Sequence, residues 1–157
     1  MNGDILAVEA GAALLSAPPT LAAGSGLSGH FHREAGPKLE QAAKRLWPLQ
    51  PGNSAVTGGY KLKAPLVIHA VAPRYLVGGD EEILTLRETY VSILANAALH
   101  GIKTIVFPAI GVGIYRWPEE LAASIAISTI QTGAFGKAII CLYGDANFEA
   151  YQSILGE

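Results

Sequence analysis

Cysteine and charge are both scarce in this sequence, and each scarcity closes off a class of function. Cys141 is the only cysteine. Without a second one there is no internal disulfide, and no residues around it are spaced as metal ligands, so no metal is expected. Inside the apolar run Ala138 to Tyr143 it reads as a small buried hydrophobe in a protein of the reducing cytoplasm. Charged residues make up 15% of the chain and the formal net charge is −2, so the basic footprint that duplex nucleic acid requires is lacking. No block of like charges occurs; Glu81-Glu82 and Glu119-Glu120 read as helix starts. A secretory leader is not expected, because Asp4 and Glu9 sit where such a leader is apolar. Neither uncharged stretch suits a membrane. The one from Ala10 to Gly29 is broken by Pro18-Pro19 and glycines, and the one from Leu121 to Gly136 carries Ser124, Ser128, Thr129 and Gln131.

What the chain does have is apolar surface. Half of its 157 residues are hydrophobic, enough for one sizeable core. No repeat or long linker divides it, so residues 1–157 are expected to form one domain, acting as a monomer. Strand-like runs alternate with helix-like periodic segments. Strands are expected at Asp4 to Val8, Ala12 to Ala17, Ala55 to Thr57, Leu66 to Ala72, Thr104 to Ile110 and Lys137 to Tyr143. A helix is expected from Gly29 to Arg45, kinked or split by Pro37. Further helices are expected from Glu81 to His100, stopped by Gly101, from Pro118 to Thr132, with Pro118 in its first turn, and from Ala146 to Leu155. His69, His100, Trp117 and Phe148 read as structural residues. This order implies an α/β fold: a three-layer α/β/α sandwich around a mixed, largely parallel sheet. Open sheets of this kind bind ligands beyond the carboxyl ends of their strands.

Two glycine loops lie at such ends. Gly24-Ser25-Gly26-Leu27-Ser28-Gly29 follows the second strand. Ala109-Ile110-Gly111-Val112-Gly113-Ile114-Tyr115 follows the strand beginning at Thr104. Each precedes a helix, so each can offer backbone N–H groups and a positive helix end to an anion. Together they could clamp a pyrophosphate. The first loop fits G-x-G-x-x-G but not its context. A gap separates Ala17 from Gly24, and no acidic residue stands about 20 positions on, so a dinucleotide-binding dehydrogenase is disfavoured. No G-x-x-x-x-G-K-[ST] loop occurs, which removes the P-loop NTPases.

In these residues the chain resembles the macrodomain family. Gly3-Asp4-Ile5 is similar to the family's opening G-D-I. Gly24 to Gly29 with His32-Arg33-Glu34-Ala35-Gly36 resembles G-G-G-V-D-G-A-I-H-R-A-A-G. Gly58-Gly59-Tyr60-Lys61-Leu62 resembles the G-Y-x-L turn, and Val67 to Pro73 resembles V-I-H-x-V-G-P. Phe107 to Tyr115 resembles F-P-A-I-S-T-G-V-Y. The resemblance implies a cleft for ADP-ribose or ADP-ribosylated protein, with no cofactor. It implies that Asp4 accepts from the adenine amine, that Ile5 packs beside the base and that Tyr143 lies against adenine. Gly26, Leu27 and Ser28 would line the first loop; Ala109, Gly111, Val112, Gly113, Ile114 and Tyr115 would form the second, around the phosphates.

The departures from the family pattern fall on its catalytic side. Where hydrolytic members carry N-A-A-N to hold the distal ribose, this chain has Leu15-Ser16-Ala17-Pro18. Where they carry the aspartate of G-V-D-G, it has Ser28, which cannot act as a base near neutral pH but can hold a water. His30 stands where the family has a small residue and is the candidate replacement base, with Ser28 beside it. Lys61 and Lys63 are the lysines nearest a motif, but nothing places either at the sugar. The family's strand upstream of G-D-I is nearly absent, so a shortened first edge strand is expected. Four functions remain open: an ADP-ribose reader, an ADP-ribosyl hydrolase or ADP-ribose 1″-phosphate phosphatase, a binder of another nucleotide-like ligand, and a scaffold. The altered ribose wall favours binding over hydrolysis.

Overall fold

Ala12–Ser16 (β1) is apolar along its length, and Ala12, Ala13, Leu14 and Leu15 are all buried. Burial on both faces marks a central strand. The computed structural model, which describes residues 4–17, 26–110, 116–133, 136–142 and 145–155, puts it at the centre. Leu66–Ala70 (β3) pairs with it in parallel on one side and Thr104–Phe107 (β4) on the other. Lys137–Ile140 (β5) runs parallel to β4, and Ser54–Gly58 (β2) closes the other edge antiparallel to β3. The order is β2-β3-β1-β4-β5.

Because side chains alternate along a strand, the sheet feeds two cores. Leu14, Ile68, Ile105 and Phe107 pack under Asp80–Leu99 (α3), Glu119–Ile130 (α4) and Asp145–Leu155 (α5). Ala13, Leu15, Val67 and Val106 pack under Gly26–Ala35 (α1) and Pro37–Lys44 (α2), against Phe31, Ala35, Leu39 and Ala43. This is the expected three-layer sandwich with a mixed, largely parallel sheet. Cys141 is buried in the second core, while Trp117 and Phe148 pack in the first.

Several expected boundaries shift, each for a local reason. Asp4 to Val8 is not a strand. Ile5–Ala7 forms a 3-10 turn because the Asp4 carboxylate accepts the Leu6 N–H at 3.0 Å, the ordinary work of an N-terminal cap. Among the described residues no strand precedes Ala12. The long helix is split at Gly36-Pro37, where Gly36 takes φ +88°, and its first half begins three residues early, so Gly26, Leu27 and Ser28 form a helical turn rather than loop. The strand at Thr104 ends at Phe107, since Pro108 has no N–H to offer the ladder. Pro118 caps α4 instead of lying in its first turn; its carbonyl accepts the Ala122 N–H. α3 stops as expected: Gly101 adopts φ +65°, and the N–H groups of Gly101 and Ile102 donate to Ala98 and Ala97. His100 takes up the Asn96 carbonyl there through Nδ1.

His69 is the charged-type residue deepest in the sheet. It is fully buried, with Nε2 2.8 Å from the Thr57 hydroxyl. Its Nδ1 and both ring nitrogens of buried His32 have no partner among the described residues. Burial, reinforced by His32, pushes His69 down to about 4 from 6.5, so it is neutral in the fold. Burial also lowers His32. Between those two pH values the unfolded chain binds more protons than the native one. Stability is therefore full above pH 6.5 and falls as pH drops toward 4, by about 3 kcal/mol from His69. Urea titrations at pH 7, 5.5 and 4 are expected to show this loss, and His69→Gln is expected to flatten it. An unchanged slope in that variant would contradict the assignment.

Candidate functional site

Parallel pairing brings the carboxyl ends of β3, β1 and β4 to one edge. The chain leaves β1 through Ala17 and returns as α1; it leaves β4 at Phe107 and returns as α4. Both glycine loops thus spring from neighbouring strands and lead into helix N-termini, whose unpaired N–H groups favour anions. Ile110 is fully buried and Ala109 half-buried against the first core, which anchors the second loop at its root. Trp117 anchors the far side. It is buried, its ring N–H donates to the Pro73 carbonyl at 2.8 Å, and it packs against Tyr75 with ring centroids 5.0 Å apart. Residues 18–25, Gly111, Val112, Gly113, Ile114, Tyr115 and Tyr143 lie outside the described residues.

Asp4 lies against α1, the helix that follows β1, through His30. Besides the Leu6 N–H, the same carboxylate oxygen meets His30 Nε2 at 3.2 Å. The Leu6 N–H lowers the carboxyl's proton affinity most, partial desolvation opposes it, and His30 lowers it further; the net direction is down. Asp4 is therefore a carboxylate at neutral pH. Its side chain keeps 54% of its exposure, which leaves acceptor capacity for an incoming donor. Burial pushes the Cys141 thiol up most; the positive charge of the amino terminus opposes this, and the Asp4 charge adds to it. Ile5 is buried in the second core.

The two candidate catalytic residues separate. Ser28 is buried in the first turns of α1, while His30 points to Asp4 and is about one-third exposed. Lys61 lies along Gly36, and Lys63 reaches the Ala7 carbonyl. Among the described residues no three His, Cys, Asp or Glu side chains gather as metal ligands. No described helix is long and apolar enough to cross a membrane. The His30–Asp4 contact could not be read from sequence, because it joins positions 26 residues apart. The cap on Leu6 had a signal: aspartate just before an apolar pair.

The family model described as Macro domain matches residues 16–126. A protein of Enterobacter sp. named O-acetyl-ADP-ribose deacetylase is 37% identical, over 98% of this chain and 90% of its own. Among solved structures, an Oceanobacillus iheyensis macrodomain with ADP superposes with TM-score 0.92 at 28% identity, covering 98% of this chain and 87% of that one. A Trypanosoma brucei macrodomain in complex with ADP-ribose gives 0.91 at 26%, covering 99% and 67%. The sheet order, the paired strand-end loops and these matches lead to one conclusion: the chain belongs to the macro domain family.

Proposed function

We propose that this chain binds ADP-ribose, free or attached to protein, as a monomer of the cytoplasm. The observation that carries the reading is Asp4. Its ionised, half-exposed carboxylate meets His30 of α1, the helix into which the chain passes after β1. An adenine amine would donate to it, the pyrophosphate would accept from N–H groups of Gly26, Leu27 and Ser28 and of Ala109, Gly111, Val112, Gly113, Ile114 and Tyr115, and Tyr143 would cover the base. The distal ribose would then fall at the end of β1, near Ser16 and Ala17.

Hydrolysis is the second reading, supported by the name of the Enterobacter relative and by the paired loops. It needs a base at the distal ribose. His30 is 3.2 Å from Asp4, which supports an adenine-side role for it: holding the carboxylate in place. Ser28 would order a water rather than take a proton. Binding is thus the better supported activity.

Calorimetry with ADP-ribose, AMP and NAD tests this directly. Selective binding of ADP-ribose is expected, weakened about ten- to a hundredfold by Asp4→Ala, the worth of one charged hydrogen bond. No heat with wild-type protein would contradict the reading. For His30→Ala, severalfold weaker binding is expected, with the rate of any single turnover of bound O-acetyl-ADP-ribose unchanged. Loss of that chemical step with binding kept would restore hydrolysis, with His30 as its base.

A further inference from the structure

The carboxyl edge of the sheet continues past β1. The Ala17 N–H donates to Ala70 O at 2.9 Å, so the end of β1 abuts the end of β3. The next residue, Val71, is held by Gly52 and Asn53 through bonds of 2.9 and 3.2 Å. There a groove of about 440 Å³ opens. Pro51, Val71, Pro73 and Leu76 form its apolar wall, and Glu81 and Glu82, in the first turn of α3, form the other.

Both walls are held in place. The Glu82 carboxylate accepts the N–H groups of Leu76, Val77 and Gly78 at 2.9, 3.1 and 2.7 Å, which fastens the turn to the helix. The Trp117 ring N–H holds Pro73 from the side of the second glycine loop. Leu76 and Val77 are 76% and 86% exposed on the rim, an apolar lip open to solvent. The surrounding charge is acidic: Asp80, Glu81 and Glu82 in the first turn of α3 and Glu88 against Gly52, with Arg74 the cation of the lining.

We propose that this groove docks the polypeptide that carries the ADP-ribose, an extended segment with a lysine or arginine beside the modified residue. The inference rests on the reading of the cleft given above. That reading orders the ligand along the edge, with adenine at β5, phosphates between β4 and β1, and the distal ribose at the end of β1. Whatever is attached to that ribose leaves toward β3, about one strand spacing from the groove. A further nucleotide fits poorly, because its phosphates would face Glu81 and Glu82 and the lining offers no aromatic face. A basic peptide meets an apolar wall for its stem and carboxylates for its charge.

Calorimetry can compare free ADP-ribose with two peptides bearing ADP-ribose through a stable triazole link, one flanked by lysines and one by glutamates. The lysine peptide is expected to bind about tenfold more tightly than free ADP-ribose, and the glutamate peptide no more tightly. The exposed double substitution Leu76→Ser, Glu81→Lys is expected to abolish that advantage and leave free ADP-ribose unaffected. Normal binding of ADP-ribose with no lysine-peptide advantage, or an advantage that survives the double substitution, overturns the groove alone. A short ADP-ribose oligomer binding more tightly than the lysine peptide also overturns it. Failure of free ADP-ribose itself to bind overturns the cleft reading, and the groove with it.

Discussion

β1 has a parallel partner on each side, and that pairing fixes where ligand chemistry can occur. A parallel strand must be re-entered through a crossover, so each strand sends its exit to the same edge and its helix to a face. Ala12–Ser16 is apolar enough to be buried on both faces. Its neighbours β3 and β4 then deliver Val71 and Pro108 to the level where β1 ends. The exits of β1 and β4 are adjacent because the two strands are hydrogen-bonded neighbours. Inserting a strand between them would leave each loop as an ordinary turn.

Around that edge the polar groups divide into holding and presenting roles. Glu82 holds a turn through backbone N–H groups; partial desolvation resists its ionisation, but the N–H groups of Leu76, Gly78, Val77 and Gly79 together keep it a carboxylate. Trp117 holds the segment after β3, and Ile110 roots the second loop. Asp4 does both: one oxygen caps a 3-10 turn and meets His30, while the rest of the side chain faces solvent. A carboxylate fixed in this way would need little further ordering to meet an incoming donor, as the proposed adenine contact requires.

The sequence was most legible where one physical rule acts alone. The buried strands, the kink at Pro37 and the stop at Gly101 follow from apolar period, a missing N–H and a left-handed turn. Boundaries were less legible where two rules compete. Asp4 to Val8 carries strand-like residues, yet the capping aspartate turns the backbone into a 3-10 turn. Gly26 to Ser28 reads as loop by glycine content, but the following helix reaches back over it. At the candidate site, the family motifs pointed to the two glycine segments and to Asp4. They gave no sign that His30 would reach Asp4, since that contact depends on how α1 packs against the N-terminal turn. The groove beside β3 was invisible as well, because its walls come from segments that read separately as loop and helix.

The most direct test of the central claim is a titration of isotope-labelled protein with ADP-ribose, followed residue by residue through backbone amide resonances. The largest shifts are expected at Leu6, at residues 26–30 and at residues 109–115, with Leu76 and Glu81 nearly still under free ADP-ribose. Shifts centred on β2 or on α3, with Leu6 and the two loops unmoved, would contradict that claim.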